Sequence, residues 1–284
     1  MGEAILMLAG GAAAGVFGSL LGLGGGVLIV PLLTLGFGLD LRAAVGISLV
    51  SVIVTSSAAA GVYLERNVAN LRLGMTLELF TAIGALVGGL IAFLIEERVL
   101  ALLFAALLGY VAVTMARSST ERAPEDGARP LPSLEPDASE PAPGSPAALH
   151  AAAIDRLSGE GYAVRNLGRG VVGATGAGVF SALLGVGGGI VKVPLMHVAM
   201  GVPLRVSTAT SNLMVGITAA ASAVIYLLRD EIDPYVAGPV AIGVFLGASV
   251  GSRVAHRVDL RILRWLFVVV MLYTAVQMLL RGLG

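Results

Sequence analysis

Long apolar runs separated by short polar breaks make up most of the chain, and each half carries five of them. The runs cover residues 3–21, 27–38, 43–64, 73–95 and 98–116, and then 168–184, 190–200, 206–228, 235–255 and 261–280. About 20 apolar residues cross a hydrocarbon core roughly 30 Å thick. The last three runs of each half are therefore predicted to be membrane-spanning helices.

The two halves repeat one another. Residues 15–31 read GVFGSLLGLGGGVLIVP, and residues 178–194 read GVFSALLGVGGGIVKVP, at an offset of 163 positions. The same offset relates Arg42 to Arg205, Ser48 to Ser211 and Thr55 to Thr218. Duplicated apolar halves with a glycine-broken segment at the same place are typical of secondary transporters, and the break points to the binding site.

The second run of each half is too short to span. At 1.5 Å per residue, residues 27–38 reach only about half way across, yet the chain must be back at a surface by Asp40 and Arg42. A hairpin solves this if it enters to mid-depth, turns at the glycines and leaves on the same side. Such re-entrant backbone is tolerated where protein or a water-filled cavity covers it.

A hairpin and three spans give an odd number of crossings, so the halves should be inverted. Inversion places 13 arginines on one face and four on the other, namely Arg42, Arg98, Arg229 and Arg281, whereas parallel halves of four spans would give 10 and seven. Arginine concentrates on the cytoplasmic side. The predicted fold is thus an all-α polytopic membrane protein with two inverted halves, and both termini lie outside the cytoplasm.

One segment lacks the apolar side chains needed for packing. Residues 118–148 hold seven of the 12 prolines and six acidic residues, a composition typical of disorder. We therefore predict a first transmembrane repeat at 1–117, a disordered cytoplasmic linker with a short helix at 118–162, and a second repeat at 163–284.

Composition narrows the function classes. Hydrophobic residues make up 57% of the chain and charged residues 13%, against the roughly 25% charge of soluble domains. The formal net charge is zero, which suggests no nucleic-acid partner, and the lack of cysteine excludes disulfides and thiolate metal sites. No metal or other cofactor is expected. A multi-pass protein of the cytoplasmic membrane, surrounded by lipid, is predicted.

The glycine turns are the first candidate site. Each turn precedes a helix start, whose exposed N–H groups favour anions, and glycine lets a ligand approach the backbone closely. Two such starts facing each other near mid-membrane would bind a small anion. The turn residues are Gly22, Gly24, Gly25 and Gly26 in the first half, and Gly185, Gly187, Gly188 and Gly189 in the second. The alternative is that they serve helix packing, as expected for Gly84 and Gly88.

Polar side chains near the turns complete the candidate site. The next span of each half carries hydroxyl and amide groups that could replace water around an anion, or else could bond neighbouring helices; we select Ser48, Thr210, Ser211 and Asn212. Lys192 lies inside an apolar run three residues after Gly189, where an ionisable residue marks function unless it reaches the surface. Glu78 is a candidate for proton coupling, and His197 is expected at the surface.

The doubled pattern G-(x)6-G-x-GGG-(x)4-P resembles the sulfite exporter TauE/SafE family of membrane transporters. It occurs at residues 15–31 and 178–194. The TATSN stretch at 208–212 is similar to the family's Thr-Ser element, whereas the first copy, VGISL at 45–49, has Ile47 in place of the threonine. The resemblance implies transport of sulfite, sulfonates or related anions.

We therefore expect a secondary transporter, most simply an exporter, of small sulfur-containing anions; proton coupling and oligomeric state stay open. A passive anion channel is the nearest alternative, and a non-transporting membrane assembly factor is another. An enzyme is not expected, because no Ser/His pair, paired aspartates or HExxH motif lies in a span.

Overall fold

The computed structural model describes residues 2–21, 26–65, 69–117, 157–159, 162–254 and 260–283. These residues form ten α-helices and no strand. The helices are α1 (Gly2–Leu21), α2 (Gly26–Pro31), α3 (Leu41–Glu65), α4 (Leu71–Leu94), α5 (Glu97–Arg117), α6 (Leu167–Leu184), α7 (Gly189–Pro194), α8 (Leu204–Leu228), α9 (Pro234–Val254) and α10 (Leu260–Leu283). Five-residue π-helical turns extend α2 through Leu32–Gly36 and α7 through Leu195–Ala199.

Six of the described helices are long and apolar enough to cross a membrane: α4, α5, α6, α8, α9 and α10. The prediction of an all-α polytopic membrane protein is confirmed. The arms of the second hairpin are unequal. The 18 residues of α6 extend about 27 Å, whereas the 11 residues of α7 and its π-helical turn extend about 16 Å.

Secondary structure repeats with the period of the sequence. Four helices of the first half begin 163 positions before their counterparts, since α2, α3, α4 and α5 start at 26, 41, 71 and 97, and α7, α8, α9 and α10 at 189, 204, 234 and 260. The central helices α3 and α8 have the same length of 25 residues. Each half therefore contributes the same elements in the same order.

Counterpart helices run antiparallel where they touch. The start of α3 lies at the end of α8, because a Cβ placed on Gly46 would be 3.3 Å from the Tyr226 ring. Further along, the Ser56 hydroxyl donates to the carbonyl of Asn212. In α5 and α10, Arg281 lies 3.8 Å from Glu97. Inverted halves require this pairing; their orientation across the bilayer stays a prediction.

The halves interlock through outer helices. Helix α1 packs on α9, and α6 packs on α4. In both pairs the backbones approach so closely that a Cβ would overlap a carbonyl oxygen of the neighbour, as at Gly84, Gly178, Gly243 and Gly247. Small residues at such contacts are what membrane helices use for close packing, so the packing interpretation of Gly84 and Gly88 fits their position.

The predicted linker falls mainly outside the described residues, as do Gly22, Gly24 and Gly25 of the first glycine turn. The end of the linker region is seen against the membrane helices. Asn70 donates through its side-chain amide to the Leu157 carbonyl, 2.8 Å away, and to the Tyr162 hydroxyl, 2.7 Å away. This contact fixes the chain just before α6 begins.

We predict that reporter fusions will place residue 135 in the cytoplasm and the C-terminus outside it. The physical reason is the excess of arginine on the face that carries the linker. Fusions that report only in the cytoplasm and fusions that report only outside it should give opposite signals at the two positions. Equal signals from both positions would contradict the inverted halves.

Candidate functional site

One hydroxyl group joins Gly26, which follows the first glycine turn, to Gly185, which opens the second. The Ser48 hydroxyl, which is fully buried, donates to the carbonyl of Gly185 at 2.8 Å and to that of Gly26 at 3.2 Å. Gly26 begins α2, and Gly185 caps the C-terminal end of α6. A side chain of α3 therefore connects the hairpins of both halves.

Glycine is required in the second turn by its backbone. Gly187 and Gly188 have φ angles of +76° and +75°, in the left-handed region that L side chains avoid. These angles reverse the chain between α6 and α7. The sequence GVGGG therefore permits a turn that other residues would strain.

The second turn lies near the middle of the two central helices. A Cβ on Gly187 would be 2.5 Å from Val215 of α8 and 2.8 Å from Val52 of α3. Each valine is 11 residues from the start of its own helix, which corresponds to about 16 Å. That position is close to the middle of each 25-residue helix.

Two buried hydroxyl groups beside the second turn have no hydrogen-bond partner among the described residues. They belong to Ser181 and Ser211, which are 1% and 2% exposed. A Cβ on Gly188 would lie 3.3 Å from Ser181 Cβ, and one on Gly189 would lie 3.7 Å from Ser211 Oγ. Because an unpaired buried hydroxyl costs about 1–3 kcal/mol, both groups are available to a polar ligand.

An ion pair lies next to these hydroxyl groups. Lys192 Nζ is 3.2 Å from Glu78 Oε2, and the two side chains are 1% and 4% exposed. The ammonium also donates to the Thr218 hydroxyl, which in turn donates to Glu78 Oε1 at 2.6 Å. Lys192 therefore does not reach the surface; α4 and α8 supply its partners inside the protein.

The position of Lys192 connects the ion pair to the glycine turn. Its backbone N–H donates to the Gly188 carbonyl at 3.0 Å, and a Cβ on Gly188 would lie 3.4 Å from Lys192 Cε. The side chains of Lys192 and Ser181 therefore both lie against Gly188 of the turn. A carboxylate already neutralises the ammonium there.

The repeat does not contain a second copy of this ion pair. At the offset of 163 positions, Lys192 corresponds to Ile29 and Glu78 to Ala241, while Thr218 corresponds to Thr55. Ile29 is fully buried in the apolar core, and Ala241 is also buried. The chemistry beside the second turn is thus asymmetric although the helices around it repeat.

Two predicted site residues point their polar groups elsewhere. The Thr210 hydroxyl accepts the backbone N–H of Asn70 at 2.9 Å, which joins α8 to the start of α4. The Asn212 amide donates to the Thr208 carbonyl of its own helix at 3.1 Å. Among the described candidates, the structure brings together Gly26, the glycines of the second turn, Ser48, Ser211 and Lys192.

Sequence reasoning missed one candidate and one pairing. Ser181 was not selected, and its only signal is its place four residues before Gly185. Glu78 and Lys192 were treated separately, although a lone acid and a lone base in two apolar helices are the expected signal of a buried pair. His197 is exposed, as predicted.

An apolar groove of about 420 Å³ lies apart from these groups, between α1, α2 and α10. It is lined by side chains such as Phe17, Leu28 and Phe267. None of the residues that line it is charged, and no candidate residue is among them. The groove therefore does not compete with the glycine turns as an anion site.

Comparison with known proteins gives a family match over nearly the whole chain. The family profile described as "Sulfite exporter TauE/SafE" matches residues 7–278. The "Probable membrane transporter protein YunE" of Bacillus subtilis strain 168 is 22% identical over 288 residues, and the match covers 98% of each chain. No solved structure matches the chain significantly.

A second relative matches over a shorter stretch. The "Probable membrane transporter protein MamO" of Paramagnetospirillum magneticum strain AMB-1 is 26% identical over 110 residues. The match covers 36% of this chain and 17% of MamO. Both relatives carry the name of a membrane transporter.

Ser48→Ala should destabilise the protein by about 1–3 kcal/mol, because it removes the hydroxyl that joins the two turns. Ser51→Ala is the matched control. Ser51 is equally buried on α3, but its hydroxyl donates to Ile47 of the same helix at 3.1 Å. Thermal unfolding in detergent should show the larger loss for Ser48→Ala, and equal losses would contradict a joining role.

Proposed function

The chain belongs to the sulfite exporter TauE/SafE family of membrane transporters, and we propose that it carries small sulfur-containing anions across the cytoplasmic membrane. Sulfite and organosulfonates are the proposed substrates, and export is the proposed direction. The anion binds between the glycine turns near mid-membrane. Protons are the proposed coupling ion, with Glu78 as their carrier.

The observation that carries this proposal is the pair of unpartnered hydroxyl groups beside the second turn. Ser181 and Ser211 offer hydrogen bonds that no described residue uses. An anion with three oxygens could accept both, together with the Lys192 ammonium. Because glycine has no side chain, the anion can also approach the backbone of the turn closely.

The surroundings suit an anion that has lost its water. A charge buried in an apolar interior is stable only when it is paired and hydrogen-bonded. The proposed site supplies hydroxyl donors from α6 and α8 and one cation from α7. The equivalent volume in the first half has Ile29 instead of the cation, so we place the anion closer to the second turn.

Transport should be measured in proteoliposomes with labelled sulfite, sulfate, thiosulfate and taurine, each with and without a pH gradient. We expect uptake of sulfite or a sulfonate well above that of protein-free liposomes, and a change in rate when the gradient is imposed. Uptake that ignores the pH gradient would indicate the passive channel. Absence of uptake for every anion would contradict the proposal and favour an assembly role.

Gly188→Val should abolish anion binding while the protein still inserts. The new Cβ would lie 3.1 Å from the Ala177 carbonyl oxygen, at a φ of +75°, and the left-handed region costs an L residue about 1–2 kcal/mol. Gly25→Val should act likewise if the repeat holds. Gly176→Val is the control, since nothing lies within 4 Å of its Cβ position.

Binding is measured by calorimetry with sulfite on protein purified from the membrane fraction. A loss of at least about tenfold in affinity corresponds to 1.4 kcal/mol or more. If Gly188→Val binds sulfite as tightly as Gly176→Val does, the turn serves only helix packing.

A further inference from the structure

The Lys192 ammonium already has a counter-ion. Glu78 Oε2 lies 3.2 Å away, and Thr218 bonds both partners. An added monovalent anion would give these buried groups a net charge of −1. Because an uncompensated buried charge is strongly destabilising, a substrate cannot simply join this pair.

No other described charged group faces Glu78 to absorb that charge. The neighbours of α4 on this side are α6, α7 and α8, and the charged residues of these elements are Arg169, Lys192, Arg205 and Arg229. The three arginines are exposed near helix ends, and His197 is exposed on the π-helical turn after α7. Among the described charged groups, only Lys192 bonds the carboxylate, and the neutral Thr218 hydroxyl is its other partner.

We propose that Glu78 is an internal counter-anion that occupies Lys192 while the site is empty and takes up one proton when a substrate anion replaces it. This deepens the proposed function and rests on it. The Lys192 ammonium then pairs with the substrate anion instead of the Glu78 carboxylate. The proton, taken from the water on the side from which the anion enters, neutralises Glu78.

Charge balance then fixes the stoichiometry. Before binding, the buried groups are one ammonium and one carboxylate; afterwards they are one ammonium, one neutral carboxyl and one anion. The net charge is zero in both states. A monovalent anion therefore enters with one proton, and its binding strengthens as the pH falls.

The test uses the full-length protein in detergent and methanesulfonate, a sulfonate that does not itself titrate between pH 5.5 and 8. Calorimetry in two buffers with different ionisation enthalpies counts the protons taken up for each anion bound. We expect about one proton in the pH range where the empty site is ionised, and there the affinity should fall about tenfold for each added pH unit.

Glu78→Gln removes the competing carboxylate and should bind methanesulfonate more tightly than the unmodified protein does, because no counter-anion has to be displaced from Lys192. Glu96→Gln is the control, because Glu96 is exposed between α4 and α5, and it should behave as the unmodified protein does.

Lys192→Met should lose binding. The double variant Glu78→Gln with Lys192→Met should unfold at a higher temperature than Lys192→Met alone, since it buries no unpaired charge.

The outcomes separate this inference from the proposed function. Binding by the unmodified protein without proton uptake would overturn the counter-anion role and leave the anion site standing. Failure to bind methanesulfonate, sulfite and sulfate alike would overturn both. The proton count on the unmodified protein decides the question even if Glu78→Gln does not fold.

Discussion

Backbone that stops being helical inside a membrane must find hydrogen bonds within the protein, and the rest of this structure is arranged around that requirement. The second glycine turn interrupts the helical backbone between α6 and α7. Helices α3 and α8 pack against this turn, and the Ser48 hydroxyl bonds the carbonyls of Gly26 and Gly185. The outer helices close over this centre, which is possible because glycines let them approach to backbone contact.

The repeated helices form a nearly symmetric frame, and the charges break that symmetry. At the repeat offset, Ile29 corresponds to Lys192 and Ala241 corresponds to Glu78. A single ion pair can satisfy itself, whereas two pairs at one depth would double the desolvation cost. Both halves can therefore keep the same helix packing, while the buried charges lie on one side of the repeat only.

Most of the fold could be predicted because hydrophobic length and glycine punctuation are local signals. The apolar runs begin within two residues of helices such as α3, α4 and α8. The partners of those helices could not be predicted, since α8 is apolar on several faces and its sequence does not say which face meets the turns. Thr210 and Asn212 therefore joined Ser211 as candidates, although only Ser211 lies beside the second turn. The pairing of Glu78 with Lys192 spans 114 positions and depends on how α4 packs against α6 and α7.

The distribution of contacts sets where the hairpin can move. Helix α4 is locked to α6 by backbone contact at Gly84 and Gly178, and α7 follows α6 through the turn, so the ion pair lies within one block. The bonds that leave this block near the turns come from Ser48 on α3 and Thr218 on α8. A hydrogen bond between neutral groups contributes about 0.5–1.5 kcal/mol and one to a charged group about 1.5–3 kcal/mol, whereas leaving one partner of a buried ion pair unpaired costs about 3–5 kcal/mol. A displacement of the block against α3 and α8 would break the bonds of Ser48 and Thr218 and the packing of α4 on α8, and it would keep the ion pair intact.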